Sequence, residues 1–202
     1  GRDRIDDGIR VVYGVNNALF ANRGGKAEVF IGQSYRFFGE DNFVESTGLR
    51  GNLSDIVGRL RIAPGPYFSL TYRFRADTDF SRFRRQEISA AGGIPALRGA
   101  VTYVDLTDQI GNSEFARRRQ IHLAASSQIT PRWSIAGGAS FDLISQRPQP
   151  FQMNFQVQYQ DECCTIRVAY IRSIDLFTDT NRTDRILVSV ALKYLGEVRA
   201  SR

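Results

Sequence analysis

Two adjacent cysteines, Cys163 and Cys164, are the residues whose type and spacing carry the most specific chemistry in this sequence. They stand in the run QDECC, where an alternating segment meets a short turn. Neighbouring strand residues point to opposite faces, and a disulfide between adjacent residues needs a strained geometry, so the two thiols are expected to diverge. Two readings remain open. In an oxidising compartment each thiol pairs with a cysteine outside this chain, and otherwise both are inert, partly buried thiols.

The other reactive side chains form no convergent catalytic set. His122 is the one histidine, and it falls on the polar face of its segment without Ser and Asp at catalytic spacing. With two cysteines and one histidine, the chain cannot supply the four ligands of a Cys/His zinc site. Acidic pairs such as Asp77 and Asp79 fall in predicted loops, where solvated charge explains them at least as well as cation binding. We therefore expect no enzyme, no metal and no cofactor.

The net charge of +6 rests almost entirely on arginine, since only Lys26 and Lys193 of the 27 basic residues are lysines. A guanidinium presents a planar fork of donors that matches carboxylate or phosphate, so this bias suits an anionic partner or many internal ion pairs. The 21 acidic residues are interspersed along the chain, which favours internal pairing. The densest basic cluster, Arg117–Arg119, divides between the two faces of a strand, and we expect no nucleic-acid partner.

These side chains must be positioned by strands, because apolar residues recur with a period of two. The segment 151–160 alternates without error and puts Phe151, Met153, Phe155, Val157 and Tyr159 on one face. The same period occurs over 67–77 and 185–195, and weaker versions occupy 9–20, 25–37, 56–63, 80–91, 97–105, 117–129, 132–143 and 164–172. The sequence therefore predicts about eleven strands, each long enough to cross a bilayer when tilted.

The connections between the predicted strands alternate in length. Short turns are predicted at 22–25, 63–66, 92–95, 130–132 and 161–163. Longer connections fall between them, at 38–55, 77–81, 106–116, 144–150 and 173–184. This parity is typical of outer-membrane barrels, in which short turns lie on the periplasmic side and long loops lie outside. A soluble β-sandwich has similar strand counts but rarely keeps such a parity.

The pattern as a whole predicts an all-β, antiparallel, up-and-down transmembrane β-barrel. Its apolar face would meet lipid, and its polar face would line a wet lumen where charges are solvated or paired. On this lumen face we place five arginines: Arg59, Arg61, Arg73, Arg75 and Arg167. Because about eleven strands do not make an even-numbered barrel, we expect the chain to be the C-terminal portion of a larger one.

Four segments carry a family resemblance: RIDDGIRVVYGVN (4–16), GKAEVFIGQSYRF (25–37), SDIVGRLRIAP (54–64) and YQDECCTIRVAY (159–170). Together they resemble the C-terminal barrel domain of the LPS-assembly protein (LptD) family, also called the organic-solvent-tolerance family. The resemblance spans nearly all of residues 1–202, and the paired cysteines are its most specific element. It implies that residues 1–202 are the C-terminal part of such a barrel, without its N-terminal strands and periplasmic domain.

The resemblance implies a protein of the outer membrane that delivers lipopolysaccharide (LPS) to the outer leaflet through a laterally opening barrel. The implied partners are LPS, the plug lipoprotein LptE, outer-membrane lipid and, through the absent N-terminal domain, periplasmic LPS-bridge proteins. Cys163 and Cys164 are implied to form disulfides to the N-terminal region. Neither a cofactor nor a catalytic residue is implied.

By position, the resemblance implies that the strand over 185–195 is the last one and forms one side of the lateral gate. The residues concerned are Arg185, Ile186, Val188, Ser189, Val190, Leu192, Lys193 and Tyr194. The lumen arginines are implied to guide the phosphates and acidic sugars of LPS, and internal ion pairing explains them equally well. The competing functions are a passive porin-like channel, a barrel enzyme or adhesin, and a soluble β-sandwich that binds a polyanion.

Overall fold

Every regular element in the described part of the chain is a β-strand. The structure, a computed structural model, describes residues 8–22, 24–38, 52–94, 96–107, 118–144, 150–174 and 182–193, and the backbone of 196–201. The strands are β1 (Ile9–Phe20), β2 (Lys26–Phe38), β3 (Ile56–Gly65), β4 (Phe68–Ala76), β5 (Phe83–Ile94), β6 (Leu97–Leu106), β7 (Arg118–Gln128), β8 (Trp133–Asp142), β9 (Pro150–Gln160), β10 (Cys164–Ile174), β11 (Arg182–Leu192) and β12 (Gly196–Ser201). Among these residues, no helix is long and apolar enough to span a membrane.

The strands follow one another in the sheet in sequence order, from β1 to β12. Neighbours such as β1 and β2, or β9 and β10, pair antiparallel. The connections alternate as predicted: the longest of the short set spans 21–25, and the shortest of the long set spans 77–82. The all-β antiparallel fold is therefore confirmed. We call the two ends of the strands the short-connection end and the long-connection end.

The alternation of β9 is confirmed over most of its length and broken at its start. Val157 and Tyr159 lie opposite Val168 and Ile166 of β10, on one face of the sheet. At the start of β9 the register with β8 shifts, because Phe141 lies opposite Pro150 instead of Phe151. The prediction that Phe151 continues the apolar stripe is wrong, since this bulge leaves its ring 6.3 Å from that of His122, on the polar face.

The strand predicted over 185–195 is not the last strand of the sheet. It is β11, which begins earlier and ends at Leu192, and β12 pairs with it from Leu192 opposite Gly196 to Leu187 opposite Ser201. Sequence reasoning missed β12 because Val198 is the only large apolar residue in its six positions. A polar, short terminal strand gives almost no period-two signal.

The chain forms two compact units, which we describe separately. The first unit comprises Gly1–Ser89 and Val104–Arg119 and contains β1 to β4 in full. The second unit comprises Ala90–Tyr103 and Gln120–Arg202 and contains β8 to β12 in full.

Within each unit, one face of the sheet is apolar and remains exposed. Exposed side chains on these faces include Val15, Val29, Leu60 and Phe68 in the first unit and Leu123, Phe155, Val168 and Ile186 in the second. Across the described ranges, Ala76 is the only fully buried apolar residue. A soluble sandwich would cover such a face with a second layer, so the exposed faces argue against that reading.

Candidate functional site

Four of the five predicted lumen arginines lie together on one face of β3 and β4. Arg59 lies directly opposite Arg73, and Arg75 lies opposite Val57 on the same face. Arg61 continues this face, with Thr71 opposite it on β4 and Glu28 opposite it on β2. Like charges placed directly opposite each other repel, so this face needs carboxylates or an anionic partner.

Carboxylates satisfy part of this charge. Arg73 and Arg85 both pair with Glu87, Arg85 through a 3.0 Å contact between Nη2 and Oε2. The Nε atom of Arg75 lies 3.2 Å from Oδ2 of Asp55. The arginines near the long-connection end are thus tied into ion pairs, as internal pairing predicts.

Arg59 and Arg61, which lie further from the long-connection end of β3, have different neighbours. Glu28, opposite Arg61, is itself bound by Lys26, with 2.5 Å between Nζ and Oε1. Arg59 lies between Phe30 of β2 and Arg73 of β4. The register therefore leaves a strip of positive charge on this face, centred on Arg59 and Arg61.

The fifth predicted lumen arginine, Arg167, lies in the second unit. It donates two hydrogen bonds to Oε1 of Gln158, of 3.2 Å from Nε and 3.1 Å from Nη2. Ser189 of β11 lies opposite it, so its side chain belongs to the polar face that carries the glutamines of β9. His122 lies on this face as predicted, and its Nδ1 shares a 2.8 Å hydrogen bond with Oγ of Ser140.

Aromatic side chains gather near the strand ends of the apolar faces. At the short-connection end of the second unit, the rings of Trp133 and Tyr159 are 5.0 Å apart. At the long-connection end of the first unit, Phe74 packs against Phe83 at 5.7 Å, and Phe37 packs against Tyr35 at 4.8 Å. Aromatic residues at the margin of an apolar band are typical of strands that end at a membrane interface.

The two cysteines lie in the short turn that joins β9 to β10. Cys163 is exposed within the turn, and Cys164 is the half-buried first residue of β10. The turn is closed by a 2.8 Å hydrogen bond from the Asp161 amide to the Cys164 carbonyl oxygen. The carbonyl oxygen of Cys163 also accepts a 3.1 Å hydrogen bond from the amide of Lys193, just after β11. The placement of both thiols at the short-connection end agrees with the sequence prediction. The expectation that the two thiols diverge is wrong, because the side chains of Cys163 and Cys164 form a hydrogen bond with each other.

The Asp161 carboxylate accepts two hydrogen bonds at this turn, at 2.8 Å from the Glu162 amide and at 3.0 Å from the Tyr159 hydroxyl. The pKa of its carboxyl is lowered from 3.8, first because it accepts the Glu162 amide hydrogen bond and then because it accepts the Tyr159 hydroxyl. Partial burial opposes this shift, and the charge of Arg132 supports it. A carboxyl with a lowered pKa adds stability above its unfolded value, and that stability is lost as pH falls through the folded value.

We expect acid to loosen this turn. Between about pH 6 and about pH 3, the thermal midpoint of the detergent-extracted protein should fall more in the wild type than in Asp161→Asn, which has no charge to lose there. The midpoint is read from the temperature at which the compact gel band converts to the extended one. Equal slopes for the two proteins would contradict a role for this carboxylate.

Most of the residues predicted for the gate strand lie in β11. Ile186, Val188, Val190 and Leu192 lie on one face, opposite Tyr170, Val168, Ile166 and Cys164 of β10, and Arg185 and Ser189 lie on the other. The predicted alternation of this strand is therefore present. Lys193 lies in the turn that follows, and Tyr194 lies outside the described residues. The gate role itself stays a prediction.

Sequence reasoning missed a charged cluster at the long-connection end of β10 and β11. It consists of Tyr170, Arg172, Arg182 and Asp184, which we call the rim cluster. The sequence prediction ended β10 at 172 and began β11 at 185, so Arg182 and Asp184 were read as loop. The four residues 182–185 are all polar, so this stretch carries no period-two signal that could have extended the strand.

An antiparallel sheet with one exposed apolar face, aromatic margins and a charged opposite face defines the class: it has the organisation of outer-membrane barrel strands. Residues 1–133 match the model of the family described as LptD: LPS transport system D, and the chain belongs to this family. The match covers β1 to β7 and ends at the start of β8, so the cysteines lie beyond it. The family is one of LPS transport and assembly in the outer membrane, and it is not an enzyme family. A comparison with individual curated proteins gives no match.

Proposed function

We propose that this chain is the C-terminal part of an outer-membrane barrel that delivers LPS to the outer leaflet. The observation that carries the proposal is the exposed apolar face of a sheet from a family of LPS transport proteins. A face of this kind needs lipid as its solvent, and the polar face behind it then lines a lumen. The short-connection end lies on the periplasmic side, and the long-connection end lies outside.

The charged face supports a role in guiding the head group of LPS. Phosphates and acidic sugars pair well with guanidinium forks, and Arg59 and Arg61 lie on the strip where positive charge is concentrated. Acyl chains would travel on the membrane side of the wall, where apolar side chains predominate between the strand ends. This separation keeps charge out of hydrocarbon during transfer.

The lateral opening in this proposal lies at the C-terminal edge of the sheet, formed by β11 and β12. The side chains of Ile186, Val188, Val190 and Leu192 then face lipid beside the opening, and Arg185 and Ser189 face the lumen. The partners are the plug lipoprotein LptE inside the barrel and the periplasmic LPS bridge, reached through an N-terminal domain. Disulfides from Cys163 and Cys164 to that domain would hold the barrel and the N-terminal domain in a fixed relative position.

The experiment that tests the function is depletion of the native full-length protein in its own cell. LPS should then stop appearing at the cell surface and accumulate inside, as read by labelling intact cells and fractionated membranes. A passive channel would give a different result, in which LPS export continues and small solutes lose their entry route. Continued LPS export on depletion would contradict the proposal.

Reversing the charge of the positive strip centred on Arg59 and Arg61 should slow the delivery of LPS to the cell surface. Arg59→Glu combined with Arg61→Glu turns a phosphate-attracting surface into a repelling one, so surface LPS should appear about tenfold more slowly. The matched control is Arg98→Glu, which makes the same kind of change on the exposed second residue of β6. Unchanged delivery by a folded double variant would leave these arginines with a structural role only.

A further inference from the structure

The rim cluster lies on the apolar face of the second unit, although it is charged. Arg172 lies opposite Asp184, two residues beyond Tyr170, which lies opposite Ile186. Strand residues two apart share a face, so Arg172 and Asp184 continue the face that carries Val168 and Val188. These charges are therefore on the membrane side of the wall in the proposed function and not in its lumen.

The cluster is held together by several hydrogen bonds. Both Arg172 Nε, at 2.9 Å, and the Tyr170 hydroxyl, at 2.8 Å, donate to Oδ1 of Asp184. Arg182 Nε donates to the other carboxylate oxygen at 3.1 Å, and Arg172 Nη2 donates to the Tyr170 hydroxyl at 2.7 Å. The geometry fixes two guanidinium groups side by side, with both Nε atoms turned toward one carboxylate.

Charge on the membrane side is tolerated only near the two interfaces of the bilayer. An arginine on the lipid face is strongly disfavoured at the bilayer midplane and nearly neutral at the interface. The rim cluster occupies two of the last three positions of β10 on this face, Ile174 being the third, and the first two positions of β11 on the same face. It therefore marks the level at which the hydrocarbon ends and head groups begin.

The cluster has more positive than negative charge. Within the described residues, Arg172 and Arg182 share the single carboxylate of Asp184, which leaves a net charge of +1. The side chains remain open to the surroundings, with exposed fractions of 32% for Arg172 and 53% for Arg182. Paired guanidinium forks of this kind are suited to a phosphate group, which accepts several charge-assisted hydrogen bonds at once.

An apolar track continues from the cluster toward the other end of the strands. Val168 is 45% exposed and Ile186 is 53% exposed, and Ile166 and Val190 continue the same face. From Tyr170 to Ile166 the track is about 13 Å long at about 3.3 Å per residue. This length matches an acyl chain that hangs from the interface into one leaflet.

We propose that the rim cluster and the apolar track below it form a docking site on the outer wall for the phosphate and acyl chain of a phosphorylated glycolipid in the outer leaflet. This proposal rests on the proposed function, which sets the long-connection end outside. The occupant follows from charge complementarity and from the side of the membrane, since phosphate alone would leave the apolar track unused. Such a site would hold a delivered lipid beside the strands next to the C-terminal edge.

The test measures lipid retention by the native full-length protein in detergent micelles. The probe is diphosphorylated lipid A, added at graded concentrations and counted per protein by native mass spectrometry. Arg172→Gln combined with Arg182→Gln should weaken retention about tenfold or more, because both phosphate forks are removed. Arg98→Gln combined with Arg132→Gln removes two guanidinium groups from the short-connection end and should retain lipid A as the wild type does.

The outcomes separate this site from the proposed function. Equal retention by the double variant and the wild type would overturn the site, and so would equal retention of phosphatidylglycerol by the wild type. If the double variant does not fold, Arg182→Gln alone serves, since this half-exposed first residue of β11 can be changed without touching the rest of the strand. LPS delivery in cells is measured separately. Normal delivery together with unchanged lipid A retention by the double variant would therefore overturn the site without contradicting the proposed function.

Discussion

Replacing Gly93 with alanine is expected to prevent assembly of the sheet. Gly93 lies near the end of β5 with a φ of 127°, a region that residues with a side chain rarely adopt. A Cβ atom at this position would lie 2.2 Å from the carbonyl oxygen of Leu97 and 2.8 Å from Cα of Arg98. Both are backbone atoms of the partner strand, so the clash cannot be relieved by turning a side chain.

The expected cost is large for one methyl group. Backbone strain of this kind contributes about 1–3 kcal/mol, and displacement of β6 adds to it. The folded protein should show a compact band on gels without heating, and Gly93→Ala should give only the extended band. Gly99→Ala is the matched control, because its nearest atom is the Ala124 oxygen at 4.0 Å. A compact Gly93→Ala band of normal yield would mean that this hairpin adapts.

The second large effect is expected from the cysteines. If Cys163 and Cys164 hold the barrel to an N-terminal domain, the double variant Cys163→Ser with Cys164→Ser loses both links. A disulfide typically contributes about 2–4 kcal/mol, so delivery of LPS should fall at least about tenfold. Non-reducing gels should show the loss directly, because the reduction-sensitive shift of the wild type disappears.

The single variants and one conservative control complete this test. Since each thiol forms its own disulfide in the proposed function, each single variant should remove one linked species and keep the other. Thr165→Ser, in the next position of β10, changes a hydroxyl residue without touching a thiol and should behave as the wild type. Rapid maleimide labelling of both cysteines in the native oxidised protein would contradict the disulfide proposal.

The strands were predictable wherever the two faces differ strongly in polarity. The predicted range 9–20 coincides with β1, and 151–160 differs from β9 by one residue. The predicted bounds of β5 were displaced by three residues: it was expected over 80–91 and is found over 83–94. Gly92 and Gly93 were read as part of a turn, but the strand runs through both. Glycines near the end of a strand give the same sequence signal as a turn, although here one of them allows close approach of β6.

The charged sites were harder to predict than the strands that carry them. Sequence periodicity placed Arg73 on the polar face, but periodicity alone does not predict that Arg73 pairs with Glu87. That pairing depends on the register between β4 and β5, which the connection over 77–82 sets. Likewise, the prediction that β11 begins at 185 left Arg182 in a loop, whereas the strand begins at Arg182 and places it on the same face as Ile186. Register is a property of two strands at once, and a single strand's pattern does not contain it.

The hydrogen bond between the Lys193 amide and the Cys163 carbonyl oxygen joins two turns that are separate in sequence. An amide proton that is held in this way exchanges slowly with deuterium as long as the turns stay together. The rate at which the Lys193 amide takes up deuterium therefore reports how often the two turns separate, at the edge of the sheet beside β12. If a disulfide anchors Cys163, the Lys193 amide should exchange more slowly in oxidised protein than in reduced protein. The exchange rate of one backbone amide would then report whether the neighbouring sulfur is oxidised.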